Sequence, residues 1–255
     1  MQNEKSSKVL KCCAAAILAV ATSLAVSSSA ASARTEVLPL SLCAPASNTF
    51  SIVVDNPFFP LPAGQQWVFV GKEGADQLGL QITVLSGVER FYKASNDGVP
   101  TIDTRRVEET EWEDEDADGV IDPGEFVIET SINYYAQTQD GTVCYFGEDV
   151  SIFHPDGTVT SEGAWRADAP GNAPGIFMPA EPQDGMTFQQ EVASGVAEDT
   201  ASIVAVGRTV KTPAGAFTDT IRTRDFNPLD GSKGTKSYAS GVGLVHDGPL
   251  LLLSY

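Results

Sequence analysis

Through most of this chain, apolar and polar positions alternate in short runs of four to fourteen residues, separated by glycine, proline, asparagine and aspartate. A period of two places successive side chains on opposite faces of an extended strand, so the pattern predicts β-structure. The runs are Gln66–Gly71, Leu78–Leu85, Val88–Lys93, Thr104–Trp112, Glu125–Thr138, Thr142–Phe146, Val150–His154 and Thr158–Ala164. They continue with Thr187–Val192, Ala201–Val210, Thr218–Asp225, Thr235–Ala239, Gly243–His246 and Leu250–Ser254. Gln139-Asp140-Gly141 and Pro155-Asp156-Gly157 are hairpin turns: proline presets φ, and glycine accepts φ > 0 without steric cost. No long segment after residue 33 repeats apolar residues at helical spacing. The expectation is an all-β domain over 51–255, an antiparallel sandwich or half-barrel, after an N-terminal extension at 34–50. The stretch Asp168 to Gly185, rich in proline, glycine and alanine, reads as a long loop of the kind that carries function.

One segment breaks the strand pattern. Lys5, Lys8 and Lys11 precede an apolar run from Cys12 to Val26, and Ala31-Ser32-Ala33 follows. A basic start, a short apolar stretch and small residues at a cleavage position are the three parts of a secretory signal peptide. The run is shorter than the roughly 20 residues a membrane-spanning helix needs. Residues 1–33 therefore predict export and removal, with no membrane span after cleavage and a secreted, periplasmic or cell-surface destination. Cleavage also removes Cys12 and Cys13, leaving Cys43 and Cys144. In an oxidising compartment two cysteines most simply pair, although two buried thiols or a thiol-metal site also fit the count.

Acidic residues outnumber basic ones 34 to 16 in the 255-residue chain, for a formal net charge of −18. Such a surface repels nucleic acid and favours cations. The acidity is concentrated in Asp114-Glu115-Asp116-Ala117-Asp118-Gly119-Val120-Ile121-Asp122-Pro123-Gly124-Glu125. This segment resembles the twelve-residue calcium loop of EF-hands in every position. Asp114, Asp116 and Asp118 stand at positions 1, 3 and 5, with Gly119 at the sharp turn. Val120 offers its carbonyl, Asp122 stands at position 9, and Glu125 at position 12 has the bidentate role. Calcium is a hard cation that takes six to eight oxygens, and crowded carboxylates supply them. The flanks are rich in β-branched and aromatic residues, so the resemblance covers the loop alone. It implies Ca²⁺ stapling a long hairpin, not an opening switch.

A second likeness extends over most of the chain after residue 33. The phrases Asn56-Pro57-Phe58-Phe59-Pro60-Leu61, Tyr145-Phe146-Gly147-Glu148-Asp149, Gly175-Ile176-Phe177-Met178-Pro179 and Gly241-Val242-Gly243-Leu244-Val245 together resemble a family of uncharacterised exported bacterial β-rich proteins. The pattern from Thr212-Pro213-Ala214-Gly215 to Gly241–Val245 also resembles exported half-barrel lipoproteins, some of which carry lipids. Neither likeness supplies a catalytic residue.

No nucleophile elbow, phosphate loop or His-Glu-x-x-His is present, and His154 and His246 both sit beside turns. Glu148, Asp149, Glu191, Glu198 and Asp199 are the candidates for a shared pocket. Carboxylates facing one another there suit acid-base cleavage of a glycan. The sequence thus supports a calcium-binding β-domain with a binding or structural role toward a glycan, lipid or cell-surface protein. The alternative is a carboxylate-dependent hydrolase or lyase.

Overall fold

The computed structural model describes residues 35–93 and 98–255; the leader predicted at 1–33 lies outside them. The first strands are β1 (Glu36–Val37), β2 (Phe50–Ser51), β3 (Gln66–Glu73), β4 (Asp76–Phe91), β5 (Ile102–Glu113), β6 (Val127–Thr138), β7 (Val143–Phe153), β8 (Val159–Thr160) and β9 (Trp165–Arg166). They are followed by β10 (Ala173–Met178), β11 (Met186–Gln189), β12 (Glu191–Val192), β13 (Thr200–Thr212), β14 (Gly215–Phe226), β15 (Lys233–Ala239), β16 (Gly243–Asp247) and β17 (Leu250–Ser254). The only helical element among the described residues is a 3₁₀ turn at Leu40–Cys43. The fold is all-β, as the alternation predicts, and no described helix is long and apolar enough to cross a membrane.

Two antiparallel meanders, β3 to β7 and β13 to β17, join where β17 pairs β3 with Leu251 opposite Val70. On the far side β7 pairs β10, and β13 pairs β11, which takes β1 as a parallel neighbour. The resulting large mixed sheet does not close into a barrel. Its two ends are brought side by side by the short β10–β12 ladder, Ala173 opposite Val192 and Pro174 opposite Glu191. Gly175 makes that approach possible: a Cβ on it would sit 1.9 Å from the Gln190 carbonyl oxygen.

Three features depart from the alternation reading. The expected loop at 168–185 contains β10, whose Ile176 and Met178 are fully buried. Its proline- and glycine-rich sequence hides a strand that is held by β7 and β12 and not by local propensity. The runs at 78–85 and 88–93 belong to one strand, β4, because the ladder to β5 continues past a bulge between Val84 and Val88. Likewise 142–146 and 150–154 merge into β7, with Gly147 at φ 130° and a register shift opposite Tyr134 and Tyr135.

The concave face carries Trp67, Phe69, Leu78, Leu80, Ile82, Val84, Ile221, Tyr238, Leu250 and Leu252 into one core. One end is covered by the Asn56–Leu61 segment. The buried Asn56 amide donates to the carbonyls of Gly141 (3.0 Å) and Pro179 (2.9 Å). Phe59 packs on Tyr135, Phe177 and Tyr238 at centroid distances of 5.1, 4.4 and 6.3 Å. The N-terminal stretch is fastened by β1, by β2 on β6 and by the Cys43–Cys144 disulfide, which closes a sequence separation of 101 residues.

Closing a loop of that length destabilises the unfolded chain by about 4.7 kcal/mol. The Cys43→Ala/Cys144→Ala variant is expected to lose about that much in denaturant unfolding, with its native circular dichroism retained. Gly175→Ala is expected to lower the melting midpoint by about 5 °C or more, because the clashing atom is backbone and cannot swing aside.

Candidate functional site

The β5–β6 hairpin carries acidic residues in two places, at its tip and along its inward face. At the tip, the Glu113 amide donates to the Phe126 carbonyl (2.9 Å) and closes the ladder, so 114–125 forms the connecting loop. Asp114 is fully buried, and its Oδ2 accepts from the Gly119 amide at 3.0 Å. Asp116 accepts from the Asp118 amide (3.3 Å) and Asp118 from the Val120 amide (2.8 Å). Gly119 has φ 77°, and any side chain there would strike Leu253 and Val68 at 2.6 and 2.9 Å. The loop is therefore seated on β17 and β3. Ala117, at φ 62°, bears a left-handed conformation that costs a non-glycine residue about 1 kcal/mol.

The result is that carboxylate oxygens of Asp114, Asp116 and Asp118 lie within 4.8 Å of one another, a cluster that could hold a metal ion. Asp114 Oδ1 is buried and has no hydrogen-bond partner. Burial, followed by the nearby Glu125 charge, raises the Asp114 pKa, whereas the Gly119 amide opposes that rise. Glu125 spans the loop, its two oxygens accepting from the amides of Glu115 and Asp122 at 2.9 Å each. Val120 is exposed, as is Asp122. The three aspartates are thus brought together, while the carboxylates of Asp122 and Glu125 do not join the cluster.

Along the inward face, cross-strand register determines the chemistry. Three rungs run across β4, β5, β6 and β7: Val84–Val107–Asn133–Glu148, Ile82–Glu109–Ser131–Val150 and Leu80–Glu111–Glu129–Ile152. Apolar residues on β4 thus face acids on β5 to β7. On the opposing meander, Lys236 pairs with Thr223 and Asp247, and Asp225 lies two residues further along β14. Between these walls is a cavity of about 240 Å³, lined by Glu109, Glu129, Glu148, Glu191, Asp199 and Asp225 together with Lys236, Tyr135, Tyr145 and Phe177.

Burial is the main cause of the pKa shifts here, with like charges adding to it. Glu129 is pushed up to about 7 by burial and then by Glu109. Glu191 rises to about 7 through burial and then Asp199. Glu148 is pushed well above the usual carboxylate range by burial and by Glu191. Burial also raises Glu109 and Asp225, against the pull of Lys236. Lys236 Nζ lies 3.3 Å from Asp247 Oδ2. The Tyr145 hydroxyl donates to Asn133 Oδ1 at 2.5 Å.

Of the five pocket candidates from sequence, Glu148, Glu191 and Asp199 line this cavity. Asp149 points outward and accepts from the Tyr134 hydroxyl, and Glu198 caps the Gly195 amide (2.9 Å). Glu109, Glu129, Asp225 and Lys236 were not among the candidates. For two of them a signal was present: Val107-x-Glu109-x-Glu111 and Glu129-x-Ser131-x-Asn133 keep the inward phase of their strands, so acids on those strands face the interior. Compared with protein-family models, curated proteins and solved structures, the chain gives no match.

Carboxyls with raised native pKa bind more protons folded than unfolded between pH 4.5 and 7, so in that window stability falls as pH rises. His246, whose pKa burial lowers, opposes this below pH 6.5 as a single group. In chelator, moving from pH 8 to 5.5 is expected to raise the melting midpoint by about 5 °C, since each group shifted to about 7 contributes roughly 2 kcal/mol over that interval. Scanning calorimetry across that range checks the sign.

Proposed function

We propose that this chain is an exported calcium-binding β-domain in which Ca²⁺ staples the β5–β6 hairpin. The observation that carries the reading is the convergence of Asp114, Asp116 and Asp118 within 4.8 Å around a buried Asp114 oxygen that no protein donor satisfies. A buried carboxylate oxygen without a partner costs free energy unless a cation or donor meets it. Oxygen-only donors on a tight turn suit a hard divalent ion, and softer metals prefer nitrogen and sulfur. The three converged aspartates form the core of the site, and the bordering Val120 carbonyl, Asp122 and Glu125 would complete the shell around a bound ion. Its role is structural: the loop is seated against β3 and β17, so an ion there holds the hairpin tip to the sheet. The Cys43–Cys144 disulfide is compatible with an extracellular location. The predicted leader supports export.

A ligand that binds only the native state raises the melting temperature. In 1 mM calcium the protein is expected to melt about 1–6 °C higher than in chelator, as for a site with a Kd of ~0.1–1 mM. Asp114→Asn/Glu125→Gln is expected to melt at one temperature in both conditions. Identical melts of the unaltered protein with and without calcium would remove the proposal.

A further inference from the structure

We propose that the interior cavity is a binding site for a small organic polycation, an alkyl di- or polyamine. Seven acidic residues line it (Glu109, Glu129, Glu148, Glu162, Glu191, Asp199 and Asp225) against the single cation Lys236. Lys236 itself is held 3.3 Å from Asp247, which adds another carboxylate behind the wall. Such a space rejects anions and concentrates positive charge.

The acids alone would be no more than a charged surface turned inward. Asp225 makes the difference. It is 5% exposed, lines the cavity, and its Oδ1 makes no hydrogen bond of normal geometry, the adjacent Thr223 hydroxyl only helping to hold its pKa down. A buried carboxylate oxygen in that state calls for a donor from a ligand. The cavity also has an entrance. Glu162 and Val196 are exposed, and with the half-buried Asn227 and Ser232 they stand at its rim, while Tyr135, Tyr145 and Phe177 lie deep.

The distribution of the acids selects the kind of cation. Among the described residues, only Asp114, Asp116 and Asp118 bring three such ligand atoms within 4.8 Å. The cavity carboxylates do not converge in that way. They are spread over β5, β6, β7, β12 and β14 and the segment before β13, so they suit several separated ammonium groups better than one metal ion. The aromatic wall supports this choice. Tyr135 and Tyr145 stack at 4.9 Å, and Phe177 meets them edge-on at 4.8 and 5.7 Å, giving ring faces for methylene stems and for cation–π contact. A neutral sugar would use the rings but would bring no positive charge to the carboxyls spread around the wall.

The titration behaviour is consistent with this. Burial raises the pKa of Glu148, Glu129 and Glu191, and the other charged groups lining the same cavity are Glu109, Glu162, Asp199, Asp225 and Lys236. An ammonium group entering the cavity favours the ionised forms and releases those protons.

The test is calorimetric titration of the full secreted chain, kept in saturating calcium, with spermidine, putrescine and the neutral sugar maltotriose. Spermidine is expected to bind saturably at one site near pH 7. Its heat is expected to change between buffers of different ionisation enthalpy, reporting proton release. Asp225→Asn and Glu148→Gln/Glu191→Gln are each expected to weaken binding tenfold or more. Both variants are expected to keep the calcium-dependent rise in melting temperature, so loss of amine binding is separable from loss of the fold and from failure of the metal site. Absence of saturable spermidine heat up to 10 mM overturns the inference. So does undiminished binding in both variants, or binding of maltotriose where the amines fail.

Discussion

Carboxylates crowded together need positive charge, protons or donor groups, the more so where one is buried, and this constraint shapes the molecule in two places. At the tip of the β5–β6 hairpin three aspartates crowd onto one bend, with Asp114 fully buried. Along the inward face of the same hairpin, Glu111 stands directly opposite Glu129 in the ladder, and Glu109 lies one rung away. Like charges in register oppose the pairing that holds the strands together. The fold tolerates this on its inner face because burial keeps protons on several of these groups. It tolerates the tip because the loop amides of Gly119, Asp118 and Val120 partly satisfy the aspartates.

The two places are linked by one element. Asp114 follows directly on β5, three residues beyond Glu111, and Glu125 lies just before β6, four residues ahead of Glu129. Whatever holds the tip also fixes the register in which the inward acids face each other. The apolar half of the core, from Phe69 through Ile82 to Leu252, supplies the bulk of the burial that keeps this hairpin in place. The β10–β12 ladder sets Glu191 on the cavity wall by bringing the sheet's two ends side by side.

The features readable from sequence were those encoded locally. Alternation gave the all-β class because each strand carries its own face pattern. The aspartate cluster at the hairpin tip was legible because Asp114, Asp116 and Asp118 lie within five consecutive residues. Cys43 and Cys144 pair as the simplest reading expected, although their separation of 101 residues gives no local sign of contact. The cavity was only half legible. Glu148, Glu191 and Asp199 come from different strands and loops, and their meeting depends on how the two meanders face each other. Asp149 was drawn toward the candidate set by its neighbour Glu148, yet adjacent strand residues face opposite ways. β10 was hidden because Pro174 and Gly175 signal a loop locally, while the neighbouring strands make that segment a pairing partner.

The claim that the crowded tip carboxylates are an ion site is tested most directly by terbium luminescence, since Tb³⁺ takes calcium's oxygen ligands and Trp112 stands two residues from Asp114. Excitation of tryptophan is predicted to give sensitised terbium emission that saturates with one ion bound at the loop. Calcium is predicted to compete it away, and Asp114→Asn/Glu125→Gln to abolish it. Emission that is absent from the unaltered chain, or equally strong in the double variant, would contradict the account.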